Sequence, residues 1–284
     1  MEYILGTAQL NSEYGIYEKK IKASKKELQD IFKILNKKKI KRIDTAPSYK
    51  NSERTIGVFK KKNIFSIDTK VEITTSIQNI KKKLINSLKK LKINSINIYY
   101  IHNPNILSNL KLGKKIFDEL HKLKSSKKIK NIGVSTYYMK EAKFIINNYN
   151  IDAIQVPISI FDKRFLHKEF IKLVKKKNIK LIARSVFLQG IIFLNQGELE
   201  KKFNKKSSFV KTILSFQKYC KKNRLNPIYC CINFIKKQKV IDGIVIGSKL
   251  PKQLINNLIF FKKRIIKTPQ FFSKSKYILP TNWR

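Results

Sequence analysis

Ser24-Lys25-Lys26-Glu27-Leu28-Gln29-Asp30-Ile31-Phe32-Lys33-Ile34-Leu35-Asn36-Lys37, followed after a short basic run by Lys41-Arg42-Ile43-Asp44, is the stretch that decides the fold. Leu28, Ile31, Phe32 and Leu35 recur three and four apart, the period of a helix with one buried stripe. Ser24 stands before the stripe and Glu27 three residues on, so hydroxyl and carboxylate can each satisfy a free N–H of the first turn and mark the helix start. Lys41–Asp44 is a short β-type run. A helix feeding a strand is half of a βαβ unit, and outward in both directions the alternation recurs about eight times. Strands are expected at Tyr3–Gly6, Lys41–Asp44, Phe65–Lys70, Ile96–His102, Asn131–Ser135, Ala153–Val156, Lys180–Arg184 and Gly243–Gly247, with a further amphipathic helix at Ile80–Leu91. Repeated βαβ units require a parallel sheet, because right-handed crossovers place each helix outside the next strand. Eight units at about 35 residues each fit a closed (β/α)8 TIM barrel. An open doubly wound sheet is the competing arrangement, but Gly6-Thr7-Ala8-Gln9 lacks the GxGxxG fingerprint and the chain has no Walker loop. The barrel is expected as a single domain over 1–267, with Thr268–Arg284 as an extended C-terminal segment carrying two prolines and Trp283.

The chain has 284 residues, 42% of them hydrophobic and 11% aromatic, enough to bury a core despite the charge. No apolar run reaches the length of a spanning helix: the richest, Leu181 to Leu194, is broken by Arg184 and Gln189. Met1 to Gly6 has no basic flank leading into a long apolar segment, so the cytoplasm is the expected location. The net charge of +45 favours polyanions by Coulomb attraction. Of the 63 basic residues, however, 56 are Lys and 7 are Arg, scattered among Asn and Ile. Nucleic-acid sites favour the planar guanidinium, whereas Lys serves any solvated helix face, so the charge reads as biased composition and not as a specific nucleic-acid site. Cys220, Cys230 and Cys231 are odd in number without CxxC spacing and read as buried thiols of a reducing compartment. His121 and His167 fall in Lys-rich helical stretches and read as surface residues, and no metal site is expected.

In such a barrel, chemistry sits at the C-terminal ends of the strands. Three successive ends carry ionisable residues: Asp44 in Ile43-Asp44-Thr45-Ala46-Pro47-Ser48-Tyr49, Lys70 in Asp68-Thr69-Lys70-Val71, and His102 in Tyr100-Ile101-His102-Asn103-Pro104. Tyr49, five residues past Asp44, can curl back over the mouth. Ionisable groups at the tips of buried strands are costly unless they partner one another. Singly, each has a structural reading as well: an ion pair, a loop aromatic, a satisfied core histidine.

Together and in this order they resemble the catalytic residues of the aldo-keto reductases, and the resemblance runs over nearly the whole chain. Its most specific part is Asp44-Thr45-Ala46, Tyr49, Ser52-Glu53 and Gly57. Leu5-Gly6-Thr7-Ala8-Gln9-Leu10, Tyr14-Gly15-Ile16 and Arg184-Ser185-Val186-Phe187-Leu188-Gln189-Gly190 resemble a bacterial branch often encountered among surface-sugar biosynthesis genes. The resemblance implies an enzyme that reduces the carbonyl of a small aldehyde, ketone or keto-sugar. NADPH, with NADH not excluded, would supply hydride, which no side chain can donate. Tyr49 would protonate the carbonyl oxygen, Lys70⁺ would lower the phenol pKa, Asp44 would hold Lys70, and His102 would orient the substrate. Ser135 and Gln155 match contacts to the nicotinamide carboxamide, with Thr136 where the family commonly has Asn. Arg184 stands where relatives place an aromatic against the nicotinamide ring, and Ser185 adjoins it. Gly247, Ser248 and Lys249 match a phosphate loop entering the last helix, with Gln253 and Asn257 toward the adenine. Gln253 replaces a common Arg, which leaves the choice between NADP and NAD open. A monomer or weak oligomer with no membrane partner is expected. The competing readings are an NADPH-binding redox sensor without turnover and a basic nucleic-acid-binding protein.

Overall fold

Eight parallel strands pair in chain order, and the eighth returns to the first, closing a barrel. The structure, a computed structural model, describes residues 1–10, 15–16, 23–60, 64–73, 78–269, 271–273 and 275–283. The strands are β1 (Glu2–Gly6), β2 (Arg42–Asp44), β3 (Ser66–Val71), β4 (Ile96–Ile101), β5 (Ile129–Ser135), β6 (Ala153–Pro157), β7 (Lys180–Arg184) and β8 (Gly243–Gly247). Each lies within two residues of its expected position. The helices are α1 (Lys25–Lys37), α2 (Ser52–Phe59), α3 (Gln78–Leu91), α4 (Leu110–Ser125), α5 (Met139–Asn148), α6 (Lys168–Lys176), α7 (Gln196–Lys202), α8 (Ser208–Lys222), α9 (Pro227–Lys236) and α10 (Pro251–Lys262). The repeat is uneven in one place: three helices, α7 to α9, lie between β7 and β8.

The expected capping box opens α1. Glu27 N–H donates to Ser24 Oγ at 3.2 Å, and Ser24 N–H donates to Glu27 Oε2 at 2.7 Å. Leu28, Ile31, Phe32 and Leu35 are the buried stripe. Alternation along the strands divides the interior in two. Outward-facing residues such as Leu5, Ile43, Ile67 and Ile101 join the large apolar layer between barrel and helices. Inward-facing Ile98, Tyr100 and Ala153 form a small separate cluster inside the barrel. Gly133 makes room for it, since a Cβ there would lie 2.4 Å from the Tyr100 ring. At the same strand level inside the barrel, Arg42 Nε donates to Asp68 Oδ2 at 2.8 Å and Arg42 Nη1 to Glu2 Oε2 at 2.9 Å. Burial pushes the Asp68 carboxyl up to about 6 even against the pull of Arg42.

Beyond α10 the chain packs its aromatics on the β7–β8 connection. Phe271 meets Phe216 at 5.2 Å between ring centroids, and Trp283 meets Phe203 at 5.6 Å. Phe272 is 44% exposed. Cys220, Cys230 and Cys231 are free and buried. Among the described residues no helix is long and apolar enough to cross a membrane, and no cluster of side chains suits a metal ion.

Candidate active site

Asp44 ends β2 and Lys70 lies one residue before the end of β3, so two neighbouring strands carry opposite charges into the barrel mouth. Lys70 Nζ donates to Asp44 Oδ1 at 2.6 Å and to Thr45 O at 2.9 Å, and the lysine side chain is sealed from solvent. The other Asp44 oxygen accepts from Gln155 Nε2 at 2.8 Å, across the barrel from β6. Gln155, matched above to a cofactor contact, thus spends an N–H on holding Asp44. Burial alone would depress the Lys70 ammonium, but the Asp44 carboxylate beside it more than compensates and holds the lysine above its ordinary value.

The loop after β2 turns back on itself through Tyr49 N–H to Ala46 O, 3.1 Å, and brings Tyr49 over this pair. Lys70 Nζ lies 4.9 Å from the Tyr49 ring centroid, so ammonium and phenol are close neighbours. The direction of the phenol's shift departs from the sequence expectation. Burial raises the Tyr49 pKa, and the pull of Lys70⁺ is too small to bring it below the ordinary value. Burying an anion costs more than one neighbouring cation returns, because Asp44 already neutralises much of that cation.

His102 follows β4 and stands edge-on to Tyr49, with ring centroids 6.0 Å apart. Its Nδ1 lies 3.4 Å from Ser48 Oγ and 3.3 Å from Glu72 Oε1. Burial, reinforced by Lys70 and Arg184, pushes the imidazole down to about 3, so it is neutral at ordinary pH. Glu72 was not singled out from the sequence. Its signal was strand alternation, which puts it on the same side as Lys70 two residues earlier.

A cavity of about 340 Å³ opens beside these groups. Its wall includes Asp44, Tyr49, Gln155, Arg184, Ser185, Gly247, Lys249, Gln253 and Asn257, which join the first-strand end of the barrel to the start of α10. Ser135 and Ser248 are buried and do not line this cavity. Ser248 Oγ accepts from Asn257 Nδ2 at 3.0 Å, so these two fix one another. Gln253 Oε1 accepts from the N–H groups of Lys249 and Leu250, at 2.8 and 3.3 Å, and caps α10. Lys249 is 3% exposed, too buried to be a surface charge. His167 is exposed, and His121 is half-buried against Phe117.

The sequence reading missed Gln9, Phe187, Gln189, Phe193 and Ile228 on the wall. The 185–190 loop among them adopts left-handed backbone at Ser185, Leu188, Gln189 and Gly190, with φ of 59°, 43°, 56° and 91°. Only glycine enters that region freely, so the loop carries strain at three side-chain-bearing positions. Gln189 O accepts from Ile16 N–H at 3.1 Å, which ties this loop to the one after β1. Tyr14 of the opening motif lies outside the described residues.

A sequence profile of the Aldo/keto reductase family matches residues 2–271. The chain therefore belongs to that family of oxidoreductases, which reduce carbonyl groups. It is 24% identical over 190 residues to the uncharacterized oxidoreductase YqkF of Bacillus subtilis, covering 63% of this chain and 59% of that relative's length. Against the oxidoreductase sirO of Leptosphaeria maculans it is 21% identical over 248 residues, 76% of this chain and 74% of the relative. The fold is that of the holo aldo-keto reductase AKR11C1 from Bacillus halodurans, at a TM-score of 0.76 and 18% identity over 94% of this chain and 88% of that one. It is equally that of the glycerol dehydrogenase AKR11B4 from Gluconobacter oxydans, at 0.71 and 19% over 93% and 87%.

Proposed function

We propose that this chain reduces the carbonyl group of a small aldehyde, ketone or keto-sugar, using a nicotinamide dinucleotide, with NADPH the first choice. The observation that carries the reading is the sealed Lys70–Asp44 pair beneath a phenol on the wall of a cavity, Lys70 Nζ lying 4.9 Å from the phenol's ring centroid. A purely structural ion pair needs no cavity and no phenol.

The residues present suit the cofactor. Gly247 leaves its backbone open beside Gln9, where a Cβ would come within 2.7 Å of the Gln9 amide oxygen, so a side chain here would narrow the wall. Beyond it lies the positive dipole end of α10, with Lys249 adjoining, a pairing that attracts phosphate. Gly247 and Lys249 would hold the phosphate end, Asn257 would face the adenine, and Gln155 and Ser185 would hold the nicotinamide end. Bound there, the nicotinamide would supply the hydride.

The chain's own groups handle the oxygen. Burial keeps Tyr49 protonated at neutral pH, so its hydroxyl is a proton donor in waiting. As negative charge develops on the carbonyl oxygen, that proton moves across and Lys70⁺ steadies the phenolate left behind. Asp44 keeps Lys70 charged and aimed. His102 is neutral and stands edge-on to Tyr49, placed to orient the same oxygen, while Ser48 and Glu72 both face its Nδ1 and set which ring nitrogen holds the proton. Titrating the protein with NADPH and with NADH by fluorescence, then following a carbonyl panel at the cofactor's absorbance, tests the reading. Micromolar binding with turnover of at least one carbonyl is the expected result; tight binding with no turnover would leave a redox sensor, and no binding at all would remove both.

A further inference from the structure

Arg184, at the end of β7 where relatives place an aromatic against the nicotinamide ring, brings a charge that stacking on a ring does not require. It lines the same cavity as Tyr49 and Asp44. Its guanidinium carbon lies 3.9 Å from the Tyr137 ring centroid, so one face is stacked and the fork is held in place. Its hydrogen bonds are few and long. Nη1 donates to Ser185 Oγ and Nη2 to Thr136 O, both at 3.3 Å, and Nε is buried with no acceptor. Both acceptors are neutral. Among the described residues no carboxylate lies within ion-pairing distance of it, in contrast to Arg42, Lys70 and Arg164, which pair with Asp68, Asp44 and Asp162 at 2.6 to 2.8 Å.

The neighbouring carboxylates are committed elsewhere: Asp44 to Lys70 and Gln155, Glu141 to Thr136, and Glu72 to His102. A half-buried guanidinium left without a counterion is costly, and the cost is recovered when an anion arrives. Its charge is also felt at Tyr49 and His102, both of which it pushes down, so it stands close to where the carbonyl would react. A planar fork suits an oxyanion that can accept two parallel hydrogen bonds.

We propose that Arg184 selects carbonyl substrates that carry an anionic oxygen group, a carboxylate or a phosphate, over neutral aldehydes and ketones. The proposal deepens the carbonyl-reductase reading and rests on it for turnover, though not for binding. The partner group would be the substrate's own, a short reach from the carbonyl carbon, because Arg184 and Tyr49 share one cavity wall.

The test compares matched pairs, 4-oxobutanoate with butanal and glyceraldehyde 3-phosphate with glyceraldehyde, in the wild type, Arg184→Gln and Arg184→Lys. For each protein the ratio of kcat/KM for the anionic member to that for the neutral member is the readout, so any loss common to both cancels. The wild-type ratio is expected to exceed about 10 for at least one pair, to collapse toward one in Arg184→Gln, to recover in part in Arg184→Lys, and to fall as salt is added. The two pairs separate carboxylate from phosphate. A wild-type ratio near one for both, or a ratio that Arg184→Gln leaves unchanged, overturns the proposal. Quenching of bound-cofactor fluorescence by each carbonyl gives the same ratios for binding without turnover. Selective, Arg184-dependent binding with no reduction would sustain the proposal and sink the reductase reading.

Discussion

Tyr49 is a phenol held protonated by its own burial, with an ammonium ready beneath it, and this fixes what single substitutions should do. Tyr49→Phe removes the donor and leaves the cofactor wall in place, so turnover should fall by about a hundredfold or more with cofactor affinity near wild type. Undiminished turnover would mean that another group protonates the oxygen. Lys70→Met removes the largest pull that favours the phenolate and leaves Asp44 buried beside a neutral side chain; the pH limb assigned to Tyr49 should move up, or activity vanish. His102 carries a pH signature of its own. Its folded pKa of about 3 lies below the ordinary 6.5, so its contribution to stability is fully present above about pH 6.5 and is lost as pH falls toward 3. Asp68, raised to about 6, acts the opposite way between its ordinary 3.8 and 6. Comparing wild type with His102→Gln subtracts Asp68. Urea midpoints measured from pH 7 to pH 4 should show the wild type losing stability relative to the variant, and parallel curves would contradict the assigned shift. Asp44, Lys70 and His102 were legible because each stands at or next to a strand end, and Tyr49 because it follows in the loop after one; that Gln155 locks Asp44, and that burial outweighs Lys70 at the phenol, depends on distances across the barrel that no local pattern records.

Elements were legible where their periodicity was complete. The α1 helix begins at the expected Ser24 because its cap is written in four consecutive residues. Ser24→Ala should therefore cost about 1 kcal/mol, read as a shift in the urea midpoint. The close seat of α2 on α3 is different: a Cβ on Gly57 would come within 2.1 Å of the Lys90 carbonyl oxygen, a backbone atom that cannot turn aside. Gly57→Ala should destabilise by about 1–3 kcal/mol despite its better helix propensity, and a gain in thermal stability would show that the two helices can separate freely. The three helices between β7 and β8 were blurred because their Lys-rich faces repeat the same composition as every other helix. The 185–190 loop was illegible for another reason: its left-handed residues include Ser185, Leu188 and Gln189, none of which announces that conformation.

At the scale of the molecule, the charge of +45 is spread over a barrel in which, among the described residues, few of the lysines pair with a carboxylate. Self-repulsion of this size lowers the stability of the compact state, and salt screens it. Between about 10 mM and about 150 mM salt the screening length shrinks from about 30 Å to about 8 Å, so the thermal midpoint should rise by several degrees. A midpoint that falls with salt would show that attractive pairs outweigh the repulsion. The same screening should weaken any selection for anionic substrates, which separates a local guanidinium effect from the diffuse field: Arg184→Gln changes the net charge by one part in 45 and leaves that field almost intact.

The sequence by itself determined the closed parallel barrel and the order in which a carboxylate, a phenol, an ammonium and an imidazole reach its mouth, because alternating periods and strand-end residues are local and repeat eight times. Only the tertiary structure decided how those groups are charged and what each one holds. Asp44 is shared between Lys70 and Gln155, Arg184 is stacked on Tyr137 with no carboxylate partner among the described residues, and Gln253 is turned to its own helix. Protonation and partnering depend on burial and on separations between residues remote in the chain, quantities that exist only once the barrel has closed.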